Sequence, residues 1–258
     1  IAPLQTKLVQ THAAIERQEK LASLGLLASG VAHEIRNPLT AIKAKLFAWQ
    51  RRLPPNSPEH GDARFINEEI SRLERIVRDF LLFARPSEPV MIPVPPSNLF
   101  AELKTLFEAQ YQKRQIVIRN EAPEGTAPLV LADPQQLKQV LINLIQNAAE
   151  SFEHGGEIDL RTKVEPKPGP GSPHGNVILE VQDNGKGIPP DVEKRLFDPF
   201  FTTKEAGTGL GLSIAMRIVQ KHGGHLRYRT QVNVGTTFGI ILPRILHSHE
   251  REKVHSSD

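Results

Sequence analysis

The chain has 258 residues, of which 39% are hydrophobic and 18 are glycine, a globular composition that excludes a wholly disordered chain and a collagen-like fibre. A formal net charge of +3, from 32 basic and 29 acidic residues, is too small to call for a nucleic-acid partner. With no cysteine there is no disulfide scaffold, no thiolate zinc site and no cysteine nucleophile, and the length fits one or two domains.

In chain order, Ile1, Leu4, Leu8 and Ile15 mark a weak heptad whose phase differs from the seam that follows. Residues 1–20 therefore read as an incoming coiled coil with a break in register. The longest apolar candidate, LASLGLLASGVA (21–32), falls well short of the ~20 residues a spanning helix needs. The chain opens with Ile1, not methionine, and without the basic start of a signal peptide, so it is expected to begin inside a longer protein with a sensor domain upstream.

Ile35, Leu39, Ile42, Leu46, Trp49 and Leu53 alternate in steps of four and three, the seam of an amphipathic helix. PPNSPEHGD (54–62) reads as turn chemistry, and Ile66, Ile70, Leu73, Val77, Phe80 and Ala84 form a second seam. Two such helices make an antiparallel hairpin with only narrow stripes to bury. Two hairpins pairing as a four-helix bundle, hence a homodimer, is the expected solution.

RPSEPVMIPVPPSN (85–98) is proline-rich and reads as a linker or an extended edge. A helix is predicted from Ser97 or Asn98, then strands at IVIRN (116–120) and LVLAD (129–133). DPQQLKQVLINLIQNAAESF begins a helix with Asp133 as N-cap and Pro134 at the first helical position. EIDLRTKVE and NVILEVQD alternate as strands around a Pro/Gly-rich loop, a helix covers roughly Leu210 to Lys221, and HLRYRTQ and TTFGIILP are further strands. The second half is thus an α/β sandwich with helices on one face of a mixed sheet. Residues 247–258 read as a disordered tail.

Five segments bear on chemistry. His33 lies off the Ile35/Leu39 seam, with Glu34 beside it, Asn37 one turn on along the same face, and Pro38 set to bend the helix. It reads either as an exposed nucleophile or as a solvated surface histidine. DNGKG (183–187) is either a hairpin turn or an aspartate that accepts from an exocyclic amine. Asn143 and Asn147 are one turn apart, either a polar stripe or amide oxygens for magnesium. LFDPFFTTK (196–204) places three phenylalanines in a loop, read as a lid or as a loop packed on its own core. GTGLGL (207–212) precedes a helix and offers free N–H groups to phosphate, without the pattern of a P-loop or a Rossmann fingerprint.

Together, HEIRNPL, NLIQNA, DNGKGIP, FDPFFTTK and GTGLGL occur in that order and resemble the H, N, G1, F and G2 boxes of two-component sensor histidine kinases. The resemblance runs from about Ile15 to Pro243, and the NAAES and FFTTK forms are most similar to the nitrogen-regulator-like subgroup. It implies a dimerisation and histidine phosphotransfer domain at 1–86, a linker at 87–95 and a Bergerat-type ATP-binding domain at 96–246. It further implies His33 as phosphoacceptor, Glu34 as general base, and Asn37 as the residue that orients water in dephosphorylation. Asn147 would hold Mg2+, with Asn143 nearby. Asp183 would accept from the adenine amine, flanked by Gly185, Gly187 and Ile188. Gly207, Thr208, Gly209, Leu210, Gly211 and Leu212 would cover the phosphates, with Thr203 and Lys204 in the lid and Thr236 near the adenine. The implied cofactors are ATP and Mg2+, the implied partners a second copy and a response-regulator receiver domain, and the implied location cytoplasmic. A chaperone-like ATPase lacks the HEIRNPL hairpin, and a non-catalytic nucleotide switch would not need Glu34, Asn147 and Asp183 intact.

Overall fold

The computed structural model describes residues 34–84, 87–121, 127–166, 169, 171–204 and 207–246. His33, the expected coiled coil at 1–20 and the expected tail at 247–258 lie outside these residues. The chain divides into two compact units: Ile1–Ser87 with Lys204–Leu210, and Glu88–Thr203 with Gly211–Asp258.

The first unit holds two helices, α1 (residues 34–50) and α2 (Pro58–Ala84). The connecting turn is shorter than the sequence reading of 54–62. Helix α2 starts at Pro58 because Ser57 acts as its cap: the Ser57 hydroxyl accepts from the His60 N–H at 3.2 Å, and proline suits the first helical position. Leu39, Leu46, Ala63 and Ile70 form the buried cluster, with Leu53 packed against it. Leu39, Leu46 and Leu53 are alternate members of the first seam, Ile70 belongs to the second, and Ala63 lies one heptad before Ile70. Ile35, Ile42 and Trp49 from the other half of the first seam are exposed, as are Ile66 and Leu73 of the second. Lys43 pairs with Glu74 across the hairpin at 2.7 Å.

The second unit is a two-layer sandwich. Its strands are β1 (Ile92–Val94), β2 (Ile116–Glu121), β3 (Leu129–Ala132), β4 (Gly156–Glu165), β5 (Asn176–Asp183), β6 (His225–Gln231) and β7 (Gly235–Ile245). They form one mixed sheet in the order β1-β3-β7-β5-β4-β2, with β6 also paired to β7. β2 and β4 run parallel, and the other pairs among the described strands are antiparallel. Part of the proline-rich stretch is therefore the edge strand β1. Its prolines are compatible with that place, since an edge strand needs only one row of hydrogen bonds.

Helices α3 (Pro96–Tyr111), α4 (Pro134–Ala149) and α6 (Gly211–Lys221) cover one face, and α5 (Pro190–Glu193) is a single turn the sequence reading missed. α3 starts at Pro96, ahead of the predicted Ser97 or Asn98, without a side-chain cap. The cap predicted for α4 is present: Asp133 accepts from the N–H groups of Gln135 and Gln136. Alternation in the strands sends Ile118, Ile158, Leu160, Leu179, Val181 and Ile240 into the core with Leu103, Phe107, Leu141, Leu144 and Ile145 of the helices. The opposite face of the sheet is a lattice of charges. Arg161 pairs with Glu121 at 2.8 Å and Asp159 at 2.9 Å, and Glu180 pairs with Lys163 at 2.6 Å. Among the described residues no helix is long and apolar enough to cross a membrane.

Candidate nucleotide site

The site begins with a carboxylate at the end of the central strand β5. Asp183 is 6% exposed, and three donors converge on its Oδ1: the Gly185 N–H at 2.9 Å, the Thr236 N–H at 3.2 Å and the Ser151 hydroxyl at 3.3 Å. Burial pushes the Asp183 carboxyl above the usual carboxylate range, and these three hydrogen bonds oppose the rise. None of the three touches Oδ2.

The surrounding backbone is built around this group. Asn184 Oδ1 accepts from the Glu157 N–H at 2.8 Å, tying the DNG turn to the start of β4. A Cβ at Gly185 would stand 1.8 Å from the Ser151 hydroxyl oxygen, so glycine is required there by a protein neighbour, and Gly187 holds a left-handed φ of 69°. The next residue is also fixed: the Ile188 N–H donates to Thr230 Oγ1 at 2.9 Å, and Thr230 lies 3.0 Å from Thr236 Oγ1. Asp183, Gly185, Gly187, Ile188 and Thr236 therefore come together as the sequence reading expected. Ser151, Asn184 and Thr230 join them without having been named as site residues. Asn184 lies inside DNGKG and Ser151 ends NAAES, two segments the sequence singles out, whereas Thr230 is brought in by its cross-strand pairing with Thr236.

Asn143 and Asn147 lie on α4, both half-buried. A Cβ at Gly211, the first residue of α6, would fall 2.3 Å from Asn143 Oδ1, so the start of α6 packs directly on this amide. Asn143 Nδ2 is buried without a hydrogen-bond partner. An orphaned buried donor is costly unless a ligand acceptor meets it. A phosphate oxygen fits that donor, and an amide oxygen such as that of Asn147 is a hard ligand suited to Mg2+.

Leu212 follows Gly211 at the start of α6, half-buried. Gly207, Thr208, Gly209 and Leu210 cluster with the helical unit. There Thr208 Oγ1 donates to Asp79 Oδ2 at 2.9 Å and accepts from the Leu210 N–H at 3.3 Å. Burial raises the Asp79 carboxyl above its ordinary value, opposed by the Thr208 hydrogen bond. Thr203 and Lys204 are exposed. The three phenylalanines split between the two readings: Phe197 packs on Tyr228 at 5.7 Å and Phe201 lies under Arg195 at 4.2 Å, whereas Phe200 is exposed with φ at 65°. On α1, Glu34 and Asn37 are exposed.

Two family models match in sequence order: the "His Kinase A (phospho-acceptor) domain" over residues 23–89 and the "Histidine kinase-, DNA gyrase B-, and HSP90-like ATPase" over 132–245. The solved structure of histidine kinase ThkA in complex with response regulator protein TrrA is 31% identical, with a TM-score of 0.63, and the alignment covers 93% of this chain and 67% of that one. The chain belongs to the sensor histidine kinases.

Within this family, the sensor histidine kinase ZraS of Salmonella typhimurium is 38% identical over 232 residues, 90% of this chain and 48% of the relative. The chain thus spans about half the length of such curated relatives. Full-length ShkA in complex with AMPPNP is 25% identical with a TM-score of 0.71, covering 86% of this chain and 46% of that one. The HEIRNPL segment of the histidine kinase chain falls in the first matched model. The Asn143, Asn147, Asp183 and Thr236 cluster falls in the second.

Proposed function

We propose that the chain is the catalytic core of a two-component histidine kinase, which phosphorylates His33 from ATP and passes the phosphoryl group to an aspartate of a response-regulator receiver domain. The observation that carries this is the buried Asp183, with three donors on Oδ1 and none of them on Oδ2, at the rim of a sheet whose partner helix offers an unmet amide donor at Asn143. A carboxylate so placed recognises an exocyclic amine, as adenine presents. The ThkA structure contains a response regulator and the ShkA structure an ATP analogue, which favours the same ligand classes here.

The residues divide the work. Asp183, with the walls formed by Gly185, Gly187, Ile188 and Thr236, holds the base. Asn143 donates to phosphate, and Asn147 supplies an amide oxygen to Mg2+, which neutralises phosphate charge when bound. Thr203, Lys204 and Gly207–Leu212 close over the phosphates. Glu34 accepts a proton from one nitrogen of His33 while the other attacks the γ-phosphorus, and ADP leaves. Asn37 carries no titratable proton, so it cannot be the base; its amide orients water against the aspartyl phosphate of the regulator. Residues 1–86 form the phosphotransfer domain, 87–95 join it to the ATP-binding domain at 96–246, and the core resides in the cytoplasm. The NAAES and FFTTK forms favour the nitrogen-regulator-like subgroup.

The exposed Ile35, Ile42, Trp49, Ile66 and Leu73 continue at heptad spacing along both helices. Covering them with a second hairpin buries the unmet half of each seam, so the active form is a homodimer.

Incubating the chain with γ-labelled ATP tests the reading. Acid-labile, base-stable label on the protein is expected, lost in His33→Gln, while ATP binding of that variant stays within about twofold, since the acceptor and the nucleotide cluster belong to different domains. Full labelling of His33→Gln would move the acceptor elsewhere.

A further inference from the structure

His222 has no part in the nucleotide reading above, on which its role rests. His222 is a histidine 4% exposed at the end of α6, ringed by hydrogen bonds. Its Nε2 accepts from the Asp133 N–H at 2.9 Å. Its Nδ1 lies 2.7 Å from the Ile218 carbonyl oxygen, one helical turn back. Because Nε2 faces a donor, the ring proton sits on Nδ1 and is donated to that carbonyl. The ring is therefore held at both nitrogens. Its backbone is held too: the His222 N–H donates to Ile218 and Val219, and the Gly224 N–H returns to the Val219 carbonyl across Gly223, whose φ is 70°. This is a glycine-terminated helix end.

The partner in this tie is the N-cap of α4. Asp133 Oδ1 accepts from Gln135 and Gln136, its Oδ2 accepts from the Val90 N–H at 3.0 Å, and its own N–H goes to His222. At the start of α6, Gly211 abuts Asn143 Oδ1, partway along α4. α4 and α6 thus run antiparallel, tied at both ends of α6. The two spans match: Asp133 to Asn143 is ~15 Å and Gly211 to His222 ~16.5 Å at 1.5 Å per helical residue. A slide of α6 by one residue along α4 would break the His222 bond and pull the α6 N-terminus off Asn143.

We propose that His222 is a positioning residue for the phosphate end of the nucleotide. It sets the register of α6 on α4, and with it the gap between the Asn143 and Asn147 amides and the helix start at Gly211. The adenine end is built from β5, β7, the DNG turn and Ser151 beyond the end of α4, and none of the hydrogen bonds on Asp183 comes from α6. The distal tie therefore acts on phosphate and magnesium recognition and leaves base recognition alone. A histidine that only filled space would affect both ends alike, through loss of folded protein.

The test compares MgATP and adenosine binding to the full chain by calorimetry or ligand-observed NMR, for wild type, His222→Leu and His222→Gln. His222→Leu removes the acceptor for the Asp133 N–H; His222→Gln returns an oxygen near the Nε2 position. His222→Leu is expected to weaken MgATP about five- to tenfold, with adenosine affinity within twofold, and His222→Gln to recover most of the loss. His222→Phe, which keeps the ring volume without an acceptor, takes the place of the leucine variant if the latter does not fold. Equal weakening of both ligands, or unchanged MgATP affinity, overturns the positioning role. Failure of the wild-type chain to bind either ligand overturns the nucleotide reading itself, and is read from the same titrations.

Discussion

The two units of this kinase differ in how completely they bury themselves. In the sandwich, both inward faces meet: strand residues such as Ile158 and Leu160 and helix residues such as Leu141 and Ile145 are fully covered, and α4 carries a side-chain cap. In the hairpin, Leu39, Leu46, Ala63 and Ile70 are covered, while Ile42 and Leu73 stand half-exposed on the same helices. On the reading proposed above, the nucleotide cluster is complete within the sandwich, and the hairpin is completed by a second copy of itself.

The largest effect is expected at Asp183. Asp183→Asn keeps acceptors for Gly185, Thr236 and Ser151 but turns an amide donor toward a ligand amine. Loss of the charge-assisted bond is worth ~1.5–3 kcal/mol, so ATP affinity should fall about ten- to a hundredfold by calorimetry. Stability should move the other way. Burial raises the carboxyl pKa in the folded state. The folded chain then keeps this proton to higher pH than the unfolded one, and stability falls as pH rises from the ordinary carboxylate value through the raised one. Asparagine does not titrate, so the variant should lose that slope and melt no lower than wild type at pH 7. An unchanged dissociation constant would leave DNGKG as a turn only.

Next in size is the hairpin. Ile42→Asp places a charge on the exposed half of the seam. Sedimentation or light scattering should show the dimer dissociating at a protein concentration at least ~10 times higher than for wild type, since a buried unpaired charge costs well over 1.4 kcal/mol. ATP affinity should not change. A variant that remains dimeric would place the interface elsewhere.

The smallest effect sharpens the independence of the two units. Ser57→Ala removes the α2 cap, worth about 1 kcal/mol. Calorimetry should show the hairpin transition lowered by a few degrees with the sandwich transition unmoved. A shift of both transitions would mean that the units melt as one.

Much of this architecture was legible because the determining signals are local. Asp133-Pro134 announces α4 through one cap and one ring, and NVILEVQD forms the strand β5 over its whole length. The resemblance likewise pointed to Asp183, Gly185 and Gly187 in DNGKGIP and to Thr236 outside the five motifs, and these residues meet at the end of β5. Local signals also misled where two of them competed. PPNSPEHGD reads as turn throughout, yet Ser57 capping a proline-initiated helix prevails from Pro58 onward. The run around Pro93 reads as linker or edge, and its pairing with Leu131 decides for the edge.

The sequence by itself determined most of the helices and strands and where the five motifs fall, because periodicity, caps and short motifs act within a few residues. Only the tertiary structure decided what lies behind them. Gly185 is glycine because Ser151, from the end of α4, stands where its Cβ would be. His222 finds Asp133 across 89 positions of sequence. Half of each hairpin seam is left uncovered by the chain's own packing. Each of these depends on contacts between distant segments, which no local pattern encodes.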